Sequence, residues 1–399
     1  MAFWILAAGL FFLPLTNTIL IEPLIAIVHN AREISALIVC LLFSVYVQNF
    51  RHIRQIDHLN KSLSIFMLFL IFSINASPKI KLIYSGENIG NLWEWKAYTI
   101  ILIYYIFYLS FSHISLSLKD KENLCRIIGL TAILSSIYAI LQSLGLDQAQ
   151  VVRHHTEIGS PDVPHITAII GNPTYLGLYL VASIPFVWNF FKKYASLPVI
   201  VAIVLCKSDT AYSGLAFMVL IWLFSFCNTR KKIGAMIILC CLLLGVLCGY
   251  LANHKVSDNG RFAVWQQALH EFYNPPIKIE IKKEMSKAQK AEARKLNGKK
   301  YVMTGLGLGS FSILNKTSSF GSIHNVYISV LYSTGIIGLL LFLSTIFEGF
   351  FTFFKRKNKN KTDFLILFSF IFLLLASVLQ PTLSVEPIRF LMAFLFCLI

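Results

Sequence analysis

Long apolar stretches recur along the whole chain and decide what it can fold into. A helix needs about 20 mainly apolar residues to cross a bilayer, and about twelve stretches approach that length. They lie near 3–21, 33–50, 62–75, 97–114, 127–144, 174–190, 196–206, 212–228, 233–252, 324–346, 363–379 and 386–399. The sequence therefore predicts an all-α polytopic membrane protein of about twelve transmembrane helices.

The composition excludes an ordinary soluble enzyme. Hydrophobic residues make up 56% of the 399 and charged residues only 14%, whereas about 25% is usual in soluble domains. The first twenty residues have neither a basic region nor a small-x-small cleavage site. They predict a retained first helix and not a signal peptide.

The basic residues indicate a topology. The net charge is +16, from 35 Lys and Arg against 19 Asp and Glu. Short cytoplasmic loops of membrane proteins collect Lys and Arg, and here the basic connections are 51–61, 115–126, 191–195, 228–232 and 347–362. We therefore expect a cytoplasmic N-terminus, and this part of the charge does not indicate a nucleic-acid partner.

The predicted outer connections lie near 22–32, 75–96, 145–165, 207–211, 253–322 and 380–385. Of these, 253–322 is also strongly basic. It is longer than the loops of up to about 60 residues that obey the charge rule, so we predict a large, helical, periplasmic loop. Within it, the composition of 282–297 indicates a charged surface helix. A solvated helix is the interpretation we favour there over a phosphate contact.

The predicted topology divides the chain into four segments. These are N-terminal transmembrane helices (1–150), central transmembrane helices with an outer Gly-Asn-Pro turn (151–252), the basic loop (253–322) and C-terminal transmembrane helices (323–399).

Cysteines and glycines give no sign of a metal or a nucleotide. The eight Cys lie in or beside apolar stretches without metal-binding spacing, so we interpret them as small buried hydrophobes and expect no disulfide. Residues 305–310, GLGLGS, lack the Gly-Lys-Ser of a phosphate-binding loop. We expect no cofactor and no metal site.

The first polar cluster on the predicted outer side spans 153–180 and begins with Arg153. Its Gly171-Asn172-Pro173 turn leads into a helix, and Asn before Pro is typical of a helix start. The free amide groups at such a start form an anion site. The alternative is that Asn172 only caps the helix.

The second cluster, KSDTAYSG at 207–214, follows a short predicted helix. The cluster lies at the outer membrane interface, where a charged side chain that faces lipid is costly. Lys207 and Asp209 should therefore face a cavity or pair internally. In the alternative interpretation, Lys207 extends to the interface and Asp209 caps the next helix.

The third cluster runs from Asn259 to Leu343. An amphipathic helix along the outer surface is predicted for 259–272, with Arg261 at its start. Its apolar residues at helical spacing are Phe262, Trp265, Ala268, Leu269 and Phe272. Further on, His324 and Asn325 begin a membrane helix, where an ionisable group reaches both water and an interfacial substrate; a capping role is the alternative.

Five segments, in order, resemble motifs of the O-antigen ligase and O-antigen polymerase superfamily of bacterial envelope membrane glycosyltransferases. They are GNPTYLG (171–177), SDTAYSG (208–214), NGRFAVWQQAL (259–269), GLGLGSF (305–311) and HNVYISVLYSTGIIGLLLF (324–342). The resemblance covers 150–343, and the first 140 residues match only as a hydrophobic pattern.

The resemblance implies transfer of a glycan from undecaprenyl diphosphate to a hydroxyl acceptor on the outer face, without metal or nucleotide. His324 would act as general base or orient the donor. Arg261 would hold the diphosphate, a bidentate task that favours Arg. The other expected substrate-binding positions are Arg153, Asn172, Tyr175, Lys207, Asp209, Trp265 and Asn325.

Two departures from the family pattern matter. Asp209 stands where the family usually has Arg, and an insert (274–303) lies between Phe272 and Gly305. Lys207, Arg153 or an insert lysine supplies the missing positive charge, or donor binding is altered, or the protein is inactive.

We favour a ligase that attaches O-antigen to lipid A-core in the inner membrane, because a basic outer loop suits an anionic acceptor. A polymerase that extends the growing glycan is nearly as well supported, and a protein O-glycosylating transferase less so. A lipid-linked sugar flippase predicts paired mid-membrane charges and inverted repeats, and the sequence shows neither. We expect a monomer in contact with membrane lipids.

Overall fold

The chain folds mainly into apolar helices. The computed structural model describes residues 2–12, 41, 62–70, 102–110, 116–146, 152–154, 163–166, 168–170, 172–225, 261–274, 287, 290, 302–307, 323, 325–380 and 386–399. Three helices within these ranges are long and apolar enough to cross a membrane, with 26, 30 and 18 residues. The chain is therefore a helical membrane protein, as its hydropathy predicts.

Nine α-helices and one short ribbon are bounded in this part of the chain. The helices are α1 (Ala2–Phe12), α2 (Leu118–Ser143), α3 (Pro173–Phe190), α4 (Ser196–Leu205), α5 (Asp209–Ser225), α6 (Arg261–Tyr273), α7 (Val326–Lys355), α8 (Lys361–Leu379) and α9 (Glu386–Leu398). Residues 62–70 and 102–110 are also helical. The strands are β1 (Val152–His154) and β2 (Val163–His165), which pair antiparallel.

Most of the predicted membrane stretches coincide with these helices. The predicted stretches 33–50 and 233–252 lie outside the described residues, apart from Leu41. The total of about twelve helices accordingly remains a prediction. Of the predicted surface helix at 282–297, only 287 and 290 are described, and both are helical.

Two predicted cytoplasmic loops are largely helical. Helix α2 begins at Leu118, and α7 continues to Lys355, so much of 115–126 and 347–362 extends membrane helices. At the start of α2, Ser117 Oγ accepts from the Asp120 amide (3.1 Å) and Asp120 Oδ2 accepts from the Ser117 amide (3.3 Å). This capping box starts the helix before the apolar stretch, where hydropathy gives no signal.

The β1–β2 ribbon departs from the all-α expectation. Val152 pairs with His165 and His154 with Val163, within the predicted outer connection 145–165. Each strand has three residues, too few for a period-two pattern to be visible in the sequence.

The chain packs as two compact units. The first unit comprises Met1–Gln48, Phe111–Lys255 and Asn358–Ile399, and the second comprises Asn49–Ser110 and Val256–Lys357. In the first unit α2 packs on α3 and α4, and α3 also contacts α5 and α8. A methyl group on Gly129 of α2 would lie 3.3 Å from the Val187 nitrogen of α3, so these two helices approach closely.

One end of the first unit gathers basic residues. Lys121 Nζ of α2 lies 3.9 Å from Asp363 Oδ1 near the start of α8. The Arg126 guanidinium carbon lies 5.6 Å from the centre of the Phe190 ring, at the end of α3. The start of α2, the end of α3 and the start of α8 therefore share one end of the unit.

The opposite end of the first unit is held by two glutamine contacts. Gln142 Oε1, near the end of α2, accepts from the Ala168 amide at 2.9 Å. Gln380 Nε2, after α8, donates to Thr210 Oγ1 of α5 at 3.1 Å. The ends of α2 and α8 and the start of α5 therefore lie together.

The second unit joins the helical segments 62–70 and 102–110 with α6 and α7. The hydroxyls of Ser64 and Tyr105 are 2.7 Å apart. The rings of Phe66 and Phe342 are 5.6 Å apart between their centres, and α6 packs against α7.

Candidate functional site

The residues predicted from the sequence fall into both units. The first unit contains Arg153, Asn172, Tyr175, Lys207 and Asp209, and the second contains Arg261, Trp265, His324 and Asn325. His324 lies outside the described residues, and only the backbone is described for Arg153, Asp209 and Arg261. Arg153 is the central residue of β1, opposite Pro164.

The Gly-Asn-Pro turn starts α3 as the sequence predicts. Asn172 is the N-cap, and its Oδ1 accepts from the amides of Thr174 (2.9 Å) and Tyr175 (3.3 Å). Pro173 follows at the first helical position. The capping role of Asn172 is thus confirmed, and Tyr175 lies half-buried in the first turn.

The turn between α4 and α5 places a lysine at the surface. Lys207 is exposed and has a φ of +48°. Ser208 caps α5, because its Oγ accepts from the Ala211 amide at 3.4 Å and its carbonyl accepts from the Tyr212 amide at 2.9 Å. The prediction that Asp209 is the cap is therefore wrong: Asp209 is the first helical residue, where an acidic side chain complements the helix dipole.

Helices α3 and α5 run in the same direction with their N-termini side by side. A methyl group on Gly177 would collide with the Ala211 side chain. One turn further along, a methyl group on Gly214 would lie 3.1 Å from Val181 Cγ1. Each helix N-terminus carries roughly half a positive charge, which the capping side chains and the acidic first residue of α5 partly offset.

A buried acidic residue that the sequence analysis does not single out lies on α6. Among the described side chains of α6, Val264, Ala268, Glu271 and Phe272 are buried, while Trp265 and Leu269 are half-buried. The amphipathic helix is therefore confirmed, but its buried face is rotated from the predicted one. Apolar periodicity alone predicts that a glutamate in this helix lies on the polar face, and Glu271 is therefore not recognised as buried from the sequence.

Both carboxylate oxygens of Glu271 are hydrogen-bonded. Oε2 accepts from the Tyr332 hydroxyl at 2.9 Å, and Oε1 accepts from Gln267 Nε2 at 2.9 Å. Glu271 is 8% exposed and Tyr332 1% exposed. Burial of a charged group is costly unless it is hydrogen-bonded, and these two donors offset that cost.

Residues 302–307, which we name the clasp, are bound to a break in α7. The amides of Leu306 and Gly307 donate to the carbonyls of Tyr332 (2.8 Å) and Ser333 (2.9 Å). In return, the carbonyls of Val302 and Met303 accept from the amides of Ile336 (3.0 Å) and Ile337 (3.3 Å). The clasp thereby satisfies backbone groups that the break removes from the helical ladder, as an apolar environment requires.

Two glycines make this close backbone approach possible. Gly335 has φ +70° and ψ −171° within α7, and Gly305 has φ +73°. A methyl group on Gly305 would collide with the backbone of Ser333 and Thr334, and one on Gly335 with that of Met303. The Gly-rich segment thus packs against the Thr-Gly segment of α7, an arrangement that differs from a phosphate-binding loop.

Asn325 is the N-cap of α7. Its Oδ1 accepts from the Ile328 amide at 2.9 Å, and the side chain is 5% exposed. The buried Ile323 precedes it on the other side of His324. A capping role for Asn325 is therefore shown.

Comparison with known proteins leaves the family as a proposal. No family model matches the chain, and no curated protein matches it. Within the described ranges, no three His, Cys, Asp or Glu residues are grouped to hold a metal ion.

Proposed function

We propose that the protein is a membrane glycosyltransferase that uses an undecaprenyl-diphosphate-linked glycan. It joins the glycan to a hydroxyl acceptor on the outer face of the bacterial inner membrane. Among such enzymes we favour an O-antigen ligase whose acceptor is lipid A-core.

The observation that carries this proposal is the way in which motif segments pair within each unit. In the first unit the Gly-Asn-Pro helix lies against the Ser-Asp-x-Ala helix at Gly177 and Ala211. In the second unit the Gly-x-Gly segment binds the Thr-Gly break at Gly305 and Gly335. Motif glycines lie at places where a side chain would not fit, which supports a common structural origin for four of the five segments.

The chemistry assigned to His324 is general-base catalysis. A neutral imidazole removes the proton from the acceptor hydroxyl, and the resulting oxygen attacks the anomeric carbon of the donor. The bond from that carbon to the phosphate oxygen breaks, and undecaprenyl diphosphate leaves with the bonding electrons. Arg261 at the start of α6 binds the diphosphate and stabilises its developing charge.

The first unit contributes an anion-binding surface of its own in this proposal. The positive end of the α3 helix dipole lies at this surface, and the exposed Lys207 supplies a full positive charge. Arg153 and Tyr175 bind substrate from β1 and the first turn of α3. In this proposal Lys207 and Arg153 supply the positive charge of the arginine that the family usually has at the position of Asp209.

The proposed topology has a cytoplasmic N-terminus and about twelve helices. The two ends of the first unit support it: Lys121, Arg126 and the exposed Lys192 and Lys193 belong to predicted cytoplasmic connections. The contacts at Gln142 and Gln380 mark the end with the predicted outer connections.

The experiment replaces His324 by Ala in the living bacterium and resolves lipopolysaccharide on a gel. If the protein is a ligase, the variant strain loses core-attached glycan and accumulates carrier-linked polymer. If it is a polymerase, the glycan ladder of the variant strain is reduced to one repeat unit. His270→Ala is the matched control, because His270 is an exposed histidine on α6. Unchanged lipopolysaccharide and capsule in the His324→Ala strain would reject the proposal.

A further inference from the structure

One tyrosine connects α6, the clasp and α7 within the second unit. The Tyr332 hydroxyl donates to Glu271 of α6, and the Tyr332 carbonyl accepts from Leu306 of the clasp. Tyr332 itself belongs to α7, three residues before the break at Gly335. The side chain and the backbone of one residue therefore fix α6 and the clasp to the same turn of α7.

Stability alone does not explain a carboxylate at this junction. Apolar residues of similar volume in place of a buried hydrogen-bonded polar pair are often neutral or stabilising. An apolar contact is also non-directional, whereas the Tyr332–Glu271 hydrogen bond permits one distance and a narrow range of angles. Gln267 further orients Glu271 through its second oxygen.

Glu271 and Tyr332 each follow, in the sequence, one of the two residues proposed to take part in the reaction. Arg261 precedes Glu271 by ten positions on α6, or about 15 Å along the helix. His324 precedes Tyr332 by eight positions, beyond the capping residue Asn325. A rotation or shift of α6 on α7 would therefore move Arg261 relative to Asn325, the residue that follows His324 in the sequence.

We propose that Glu271 and Tyr332 are positioning residues that set the alignment of α6, which begins at Arg261, with the start of α7 at Asn325 and Val326. The inference rests on the proposed glycosyl transfer. Neither residue touches the substrate in this account; both act through the helices that carry the reacting groups. Because misplacement by about 1 Å can reduce a rate about 100-fold, loss of the hydrogen bond should lower turnover more than donor binding.

The test compares Tyr332→Phe with Tyr327→Phe in the full-length protein in nanodiscs. Tyr332→Phe removes only the hydroxyl that reaches Glu271. Tyr327→Phe is the matched Tyr-to-Phe control on the same helix, and it retains the ring contact of Tyr327 with Phe342. Glu271→Gln is the conservative variant, since an amide oxygen still accepts from Tyr332.

The proposal predicts separate effects on kcat and KM. In Tyr332→Phe, kcat should fall about tenfold or more and the donor KM should stay within about threefold. Glu271→Gln and Tyr327→Phe should retain kcat within about threefold. A Tyr332→Phe variant with unchanged kcat, or a Tyr327→Phe variant with an equal loss, would overturn the positioning role.

Amide hydrogen exchange tests the junction without any assay of transfer. Tyr332→Phe should accelerate exchange in α6 and the clasp by about tenfold, and Tyr327→Phe should not. Unchanged exchange in Tyr332→Phe would overturn the proposal even in an active enzyme. If the wild-type protein transfers no glycan, the proposed function fails, and exchange still decides whether the junction aligns the two helices.

Discussion

At the scale of single residues, Asp209 marks the main departure from the motif. It is the first residue of α5, where a carboxylate stabilises the helix by about 0.3–1 kcal/mol. We predict that Asp209→Arg lowers the free energy of unfolding by about 1 kcal/mol and maintains or raises glycan transfer. Thermal unfolding and a transfer assay measure the two effects.

Asp209→Asn is the control for this prediction, because it removes the negative charge without adding a positive one. It should unfold between the wild type and Asp209→Arg and leave transfer unchanged. A folded Asp209→Arg protein with no transfer would show that Asp209 has a role of its own.

A substitution at Gly335 tests whether the clasp packs closely against the break in α7. An alanine at the φ of +70° and ψ of −171° of Gly335, a region open essentially only to glycine, costs about 1–3 kcal/mol in backbone conformation, and the added methyl group also collides with Met303. We therefore predict a larger loss of unfolding free energy for Gly335→Ala than for Gly145→Ala. Gly145 has a φ of +85° and is exposed, so its variant isolates the conformational cost; equal losses would contradict the clasp.

Local rules predict some of these residues and miss others. The capping role of Asn172 can be predicted from its neighbour Pro173, because capping depends on a few adjacent positions. The burial of Glu271 cannot be predicted in this way, since its donor Tyr332 is 61 positions away and an acidic residue on an amphipathic helix is normally solvated. Gln142 and Gln380 are missed for the same reason, as each binds a group distant in sequence.

At the scale of elements, the contact between α3 and α5 is close enough to test by exchange of methyl groups. Gly177→Ala should destabilise the protein by about 1–3 kcal/mol, because the new methyl group collides with Ala211. The double variant Gly177→Ala with Ala211→Gly transfers the methyl group across the interface and should restore most of the loss.

The measurement is thermal unfolding of the two single variants and the double variant. Ala211→Gly alone should be destabilised, since it leaves a cavity and adds a flexible residue to a helix. Strictly additive losses in the double variant would contradict the close approach of these helices.

Hydropathy predicts where helices lie better than where they begin, end or break. It detects the apolar middle of α2, whereas the capping box at Ser117 extends the helix into charged residues. It also predicts one helix for α7, because the break at Gly335 lies inside a continuous apolar run. The hydrogen bonds that stabilise this break come from residues 302–307, which no local pattern connects with α7.

At the scale of the whole molecule, the proposed topology predicts opposite labelling of two exposed positions of the first unit. Tyr194, beside Lys193, is 85% exposed and belongs to a predicted cytoplasmic turn. Lys207 belongs to a predicted outer turn. Intact spheroplasts treated with a membrane-impermeant maleimide should label Lys207→Cys, whereas Tyr194→Cys should react only after permeabilisation.

The native Cys206 should not interfere with this experiment. It is fully buried, so the maleimide does not reach its thiol. The unmodified protein is the control for the other cysteines. The opposite labelling pattern would contradict the proposed orientation.

Composition and charge predict a helical membrane protein because lipid imposes length and hydrogen-bonding rules on every spanning segment. They do not predict how the helices group, since lipid and protein surroundings favour the same apolar residues. The two units combine segments distant in sequence, such as 49–110 with 256–357.

The most direct test of the proposed function is transfer by the purified protein in nanodiscs. The reaction contains undecaprenyl-diphosphate-linked O-antigen and lipid A-core, with no metal or nucleotide. We predict a core-linked product from the wild type and from His270→Ala, and a loss of at least about 100-fold in His324→Ala and Arg261→Ala. No product from the folded wild-type protein, or equal product from His324→Ala, would contradict the account.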